Sequence, residues 1–133
     1  MVNRFIIALL GFYLGYATFF SFAVAPVLFS VLPKSVAGEV VAQIFPLYFG
    51  AGISILGVSS ILVLREGLKK IALLLLVSTV ICTIQELYII PLAEELKATN
   101  YEAFKTLHGV SMFLNLTAML LVWVSLGWLL KIK

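Results

Sequence analysis

The chain has 133 residues, of which 63% are hydrophobic and only 11% charged, with a mean hydropathy of +1.19 and a formal net charge of +3. Soluble domains carry about a quarter of their residues as charges, so this composition excludes that class. The few cations are too dispersed for a nucleic-acid surface, and no nucleic-acid partner is expected.

Four apolar stretches, at about 5–32, 40–64, 68–92 and 103–131, each reach the roughly 20 residues that an α-helix needs to cross a bilayer. Backbone groups in lipid must be satisfied within the chain, and these stretches lack the period-2 alternation of barrel strands. The expectation is one all-α domain over 1–133: an integral membrane four-helix bundle with antiparallel up-down connections, in contact with the lipid bilayer.

In the first stretch, Arg4 precedes an apolar run that reaches Ala23-Val24-Ala25, a small-residue pattern like a signal-peptide cleavage site. That run exceeds the usual 7 to 15 residues, and Pro26 follows the pattern directly, so a retained helix is expected. Gly11 and Gly15 share a face with Thr18 and Ala25, an arrangement that permits close helix approach in lipid and makes a homodimer the simplest protein partner. The aromatic residues of this stretch read as core and lipid contact. Pro26 removes a backbone donor and bends the helix, and Pro33 ends it.

The second stretch contains Gln43 and Phe45-Pro46-Leu47-Tyr48-Phe49. If the kink at Pro46 is small, Gln43, Gly50, Ser54 and Gly57 fall on one face, which would aim Gln43 into the bundle and use Gly50 and Gly57 for packing. Residues 65–70 form a charged turn too short for anything but a helix hairpin. The third stretch ends in Cys82, Gln85, Glu86, Tyr88 and Pro91, and the polar residues 94–102 read as an extension or loop outside the membrane.

In the fourth stretch His108, Ser111 and Asn115 fall within a sector of about 60°, since three and seven residues turn a helix by about 300° and 700°. At about 1.5 Å per residue, Gln43, Glu86 and His108 lie at one level, about 27 to 33 Å from the opposite end of their spans, with Asn115 about 10 Å deeper. Glu86 and His108 read either as residues snorkelling to interfacial water or as one coupled unit. Asn115 calls for an interhelical hydrogen bond. Together Gln43, Tyr48, Gln85, Glu86, His108, Ser111 and Asn115 outline an outward-opening polar pocket for a small molecule or ion.

Arg4, Arg65, Lys69, Lys70, Lys131 and Lys133 fall on one side of a four-span chain, against Lys34, Lys97 and Lys105 on the other. The excess places both termini in the cytoplasm and, in a prokaryote, the protein in the cytoplasmic membrane. The single Cys82 excludes an internal disulfide.

The motifs Ala25 to Phe29, Ala37-Gly38, Phe45 to Phe49, Gln85 to Pro91, and His108, Ser111, Asn115 and Leu116 together resemble those of the membrane proteins grouped with transmembrane protein 205. The resemblance covers most of the chain and implies four helices and no established activity. Gln85 departs from the family's frequent Asn six residues before the Pro. A fainter similarity to the copper-resistance D proteins raises metal handling.

Cys82, Glu86, His108 and Met112 could supply thiolate, carboxylate, imidazole and thioether donors, but one His is too few for bis-imidazole haem. No nucleophile, phosphate loop or metal motif supports an enzyme, and no cofactor is identified. Three classes follow: a small transporter or permeation unit, a metal-handling or redox-linked membrane protein, and a non-enzymatic helper that binds other membrane proteins.

Overall fold

Proline lacks an N–H and its ring crowds the carbonyl four residues back, so a helix that continues past one must rearrange its bonding. In this chain two helices do so by widening. In a computed structural model describing residues 2–132, α1 (Val2–Phe19) passes through a π-helical turn at Phe20–Val24 into α2 (Ala25–Val31). After α3 (Lys34–Arg65), α4 (Lys69–Ile84) passes through a second π turn at Gln85–Ile89 into α5 (Ile90–Thr99), and α6 (Tyr101–Lys131) follows. At the π turns the Ala25 N–H bonds to the Phe20 carbonyl and the Ile90 N–H to the Gln85 carbonyl, each just before the residue that lacks a donor. The kink expected at Pro26 takes this form. The one expected at Pro46 does not interrupt α3, which stays helical throughout.

Four helical spans result, Asn3–Val31, Lys34–Arg65, Lys69–Thr99 and Tyr101–Lys131, each long and apolar enough to cross a membrane. No strand occurs among the described residues. Lys133, counted among the inner-side cations, lies outside the described residues.

The second span starts a turn and a half earlier than expected, because Pro33 is extended and its carbonyl accepts the Ala37 N–H at 2.9 Å. The polar residues 94–99 are helical, with Lys97 paired to Glu94 at 3.1 Å one turn away. Asn100 then breaks the helix and caps the next, its Oδ1 accepting the Ala103 N–H at 3.2 Å. At the other end Gly67, with φ at 81°, makes the turn between α3 and α4.

Each span packs on its sequence neighbour, and α6 closes the bundle against α1. Paired contacts run in opposite directions: Gly52 lies against Cys82 and Gly57 near Thr79, while Ser60 donates to the Ala72 carbonyl. Side-chain to backbone bonds tie the helices, as with Tyr16 Oη to the Tyr48 carbonyl (3.0 Å) and Ser78 Oγ to the Ala118 carbonyl (3.2 Å). Each such bond is worth about 0.6 kcal/mol in a membrane protein.

The outer surface is apolar, with Phe12, Leu47, Leu87, Phe113 and Leu120 exposed, as lipid contact requires. Side chains such as Leu10, Tyr13, Leu56, Leu75, Val122 and Leu129 are fully or almost fully buried and fill the half of the bundle holding the Gly67 turn. The other half is looser: no residue of the first π turn, α2 or α5 is buried.

Candidate functional site

Where the tight packing ends, three spans place one polar side chain each at the same level. Tyr48 Oη donates to Asn115 Oδ1 at 3.0 Å, Asn115 Nδ2 donates to Ser21 Oγ at 3.3 Å, and the two hydroxyls lie 3.5 Å apart. A closed ring of bonds joins the first, second and fourth spans.

Tyr48 is the best anchored of the three. Its ring packs edge-on against Tyr16 at 5.4 Å and Phe49 at 4.9 Å, and tilted against Phe20 at 5.2 Å. Its carbonyl accepts from Tyr16. Ser21 reaches the ring from the first π turn, four residues on from buried Ala17 and on the same helix stripe.

A second polar pair stands alongside. Gln85 is fully buried; its Nε2 donates to the Ser111 carbonyl at 2.8 Å, while the Ser111 hydroxyl donates to Gln85 Oε1. Both ends of the amide are thereby satisfied, as burial in an apolar medium demands.

These groups edge a cleft of about 310 Å³, with Phe20, Phe45, Phe49 and Pro26 among its walls and Ser21, Tyr48, Ser111 and Asn115 as its hydrogen-bonding groups. His108 and Met112 are exposed and line it on α6, and the His108 ring stacks on Phe104. The cleft lies where α2 packs on α3 while α6 is met by α1, so that its α2 and α6 walls part. No carboxylate, lysine or arginine lines it.

Of the residues singled out in the sequence, Tyr48, Gln85, Ser111, Asn115 and His108 lie on or directly beside this cleft, and Asn115 makes the interhelical bond expected of it. Gln43 does not belong: it is exposed, as is Ser54 on the same face. The inward face of α3 is Val41, Tyr48, Phe49, Gly52 and Leu56; apart from Gly52, their larger side chains give more dispersion contact than a Gln and small-residue stripe could.

Glu86 and His108 form no hydrogen bond or ion pair with each other among the described residues. Gln85 continues the buried stripe of Ser78, Ile81 and Cys82 and faces α6, and Glu86, about a quarter-turn on, points elsewhere with Oε2 buried and unpartnered. No group of three His, Cys, Asp or Glu side chains gathers among the described residues, so Cys82, Glu86 and His108, with Met112, do not assemble the metal site that their donor chemistry suggested. Cys82 is buried against the inner core.

Gly11, Gly15 and Gly50 pack against nothing within 4 Å of where a side chain would project, and Gly57 only against Thr79 at 3.8 Å. The glycine that packing requires is Gly52, where a Cβ would lie 3.2 Å from Cys82 Sγ and 3.3 Å from Tyr13 Cε1. Gly52 and Ser21 were missed. For Ser21 a signal exists: it is the one polar residue between Thr18 and Ser30, placed just before a helix-breaking proline.

The chain is 46% identical over 121 residues to an uncharacterised protein of Aquifex aeolicus (strain VF5), covering 91% of each chain. No solved structure matches it. Residues 8–102, which include Ser21, Tyr48 and Gln85 and stop short of Asn115, match a family described as a domain of unknown function, DUF4149, and the chain, with its four helices long and apolar enough to cross a membrane, belongs to that family.

Proposed function

We propose that the chain binds a small molecule in the cleft between its first, second and fourth spans and works as a small transport unit that takes this molecule from the outer half of the bilayer. The observation that carries the reading is the ring of Ser21, Tyr48 and Asn115, contributed by three spans to one wall of a cleft of about 310 Å³. A volume of this size suits a ligand at the small end of the drug-like range. The four spans run up and down with both termini cytoplasmic, following the cation excess, and the cleft then faces outward. A bacterial relative supports the cytoplasmic membrane as its location.

The inner half is filled by Leu10, Tyr13, Leu56, Leu75 and Val122, so passage of a solute requires the spans to rock apart rather than a fixed pore. The segments carrying the likeness to the proteins grouped with transmembrane protein 205, Phe45 to Phe49, Gln85 to Pro91 and the His108 stripe, lie on or beside the cleft, which supports placing the function there. A second reading, a helper that binds another copy or another membrane protein, is favoured by the exposed Gly11 and Gly15.

The test is to purify wild type and Ala25→Trp in lipid nanodiscs and compare extracted small molecules by mass spectrometry. Ala25 lines the cleft, and an indole there occupies it. A molecule retained at stoichiometric level by wild type and absent from the filled variant is expected. Identical extracts from two equally folded proteins would overturn the reading.

A further inference from the structure

We infer that the occupant of the cleft is a neutral amphiphile whose head donates a hydrogen bond, a hydroxyl on an apolar body, entering sideways from the bilayer. The inference rests on the reading that the cleft binds a small molecule and adds the chemical class.

The donors that edge the cleft are already committed. Tyr48 gives its proton to Asn115 Oδ1. Asn115 Nδ2 contacts Ser21 Oγ at 3.3 Å and Met119 Sδ at 3.7 Å. With the Tyr48 proton spent, the Ser21 hydroxyl is left to donate to Tyr48 Oη at 3.5 Å. The Ser111 hydroxyl goes to Gln85 Oε1 and the Gln85 amide to the Ser111 carbonyl.

Lone pairs remain on Ser21 Oγ, Asn115 Oδ1 and Ser111 Oγ, because hydroxyl and amide oxygens each accept more than one bond. The backbone adds to them. The Ser21 carbonyl would bond to the N–H of Ala25 or of the next residue, but Ala25 donates to Phe20 and Pro26 has no N–H. The wall is therefore rich in acceptors and short of donors, with the His108 imidazole, one donor and one acceptor when uncharged, at the exposed edge.

Charge narrows the class further. An anionic head finds no lysine or arginine in the lining, and a cationic head finds no carboxylate; in an apolar slit either would be costly. A neutral donor meets the free lone pairs at no such cost. The remaining walls, Phe20, Phe45 and Phe49, suit an apolar body, and the gap between α2 and α6 admits a molecule already dissolved in the membrane.

The full chain in nanodiscs would be washed with farnesol, its methyl ether or its carboxylic acid, with empty nanodiscs as the reference and retained probe quantified by mass spectrometry. Farnesol is expected to bind at one per chain, with the ether about tenfold weaker, as the loss of one hydrogen bond implies, and the ionised acid weaker as well, because its charge finds no partner in the cleft. Ser21→Ala should lower farnesol affinity and leave the ether unchanged, a split that mere loosening of the fold does not produce.

Equal retention of ether and alcohol, or preference for the acid, overturns the donor class while leaving the cleft reading intact wherever Ala25→Trp abolishes binding. Retention no higher than in empty nanodiscs for all three probes overturns the class as well. The cleft reading then stands or falls separately on the molecule extracted from wild type and missing from Ala25→Trp.

Discussion

Gly50 and Gly52 sit two residues apart on α3, and the structure assigns them opposite responses to the same substitution. At Gly52 an added methyl would meet Cys82 Sγ at 3.2 Å, Tyr13 Cε1 at 3.3 Å and Tyr16 Oη at 3.5 Å, whereas at Gly50 it would meet nothing within 4 Å. Replacing a mid-helix glycine by alanine favours the helix by about 1 kcal/mol at both sites. At Gly52 alone, neighbours on two other spans must shift by a few tenths of an ångström, and overpacking of this kind costs about 1 to 3 kcal/mol. Gly50→Ala should therefore be neutral or stabilising by up to about 1 kcal/mol, while Gly52→Ala is destabilising by about 0 to 2 kcal/mol.

The shared propensity term cancels in the difference, leaving a steric gap of about 1 to 3 kcal/mol between the variants. Reversible unfolding in mixed micelles, followed by circular dichroism, measures that gap. Adding Cys82→Ala to Gly52→Ala removes the closest atom and should narrow it. A gap below about 0.5 kcal/mol, within the range of ordinary surface substitutions, or no recovery with Cys82→Ala, would refute the packing argument.

Three other outcomes are expected. In a double-mutant cycle, Tyr48→Phe and Asn115→Leu should couple by about 0.6 to 1.7 kcal/mol, the range for interhelical hydrogen bonds in membrane proteins; additivity within error would mean that the ring does not hold the spans together. A cysteine at Thr99 should react with an impermeant thiol reagent added to intact cells and one at Ile132 should not, while the buried Cys82 stays silent; the reverse pattern reverses the orientation. Gly11→Leu should leave the monomer's stability unchanged or raise it by up to about 1 kcal/mol, because nothing among the described residues packs there and leucine favours the helix, yet lower the dimer fraction measured by single-molecule photobleaching in liposomes; a dimer fraction equal to wild type removes this face from self-association.

The fold class was legible because it depends on length and apolar content: four stretches long enough to cross a bilayer must be helices there, whatever packs against them. Pro26 marked where the first helix would rearrange, whereas Pro46 left α3 uninterrupted, and the turn of the helix put His108, Ser111 and Asn115 on one stripe. Depth along a span could be counted, but the direction a residue faces could not. Gln43 was placed on the wrong side, because α3 is apolar over most of its surface and only its neighbours decide which face is buried.

Glu86 and His108 were paired by depth and by the short connection between their helices, but the buried stripe of α4 runs on to Gln85 and gives it the inward position instead. In a soluble helix the polar face names the outside; in lipid that signal is absent, so packing chooses the inner face. The sequence by itself determined that the chain forms four helices long and apolar enough to cross a membrane and that Pro26 would rearrange the first. Only the tertiary structure decided that Ser21, Tyr48 and Asn115 meet, that Gly52 rather than Gly50 carries close packing, and that α2 and α6 part to leave a cleft, because each depends on how separate helices are rotated about their axes.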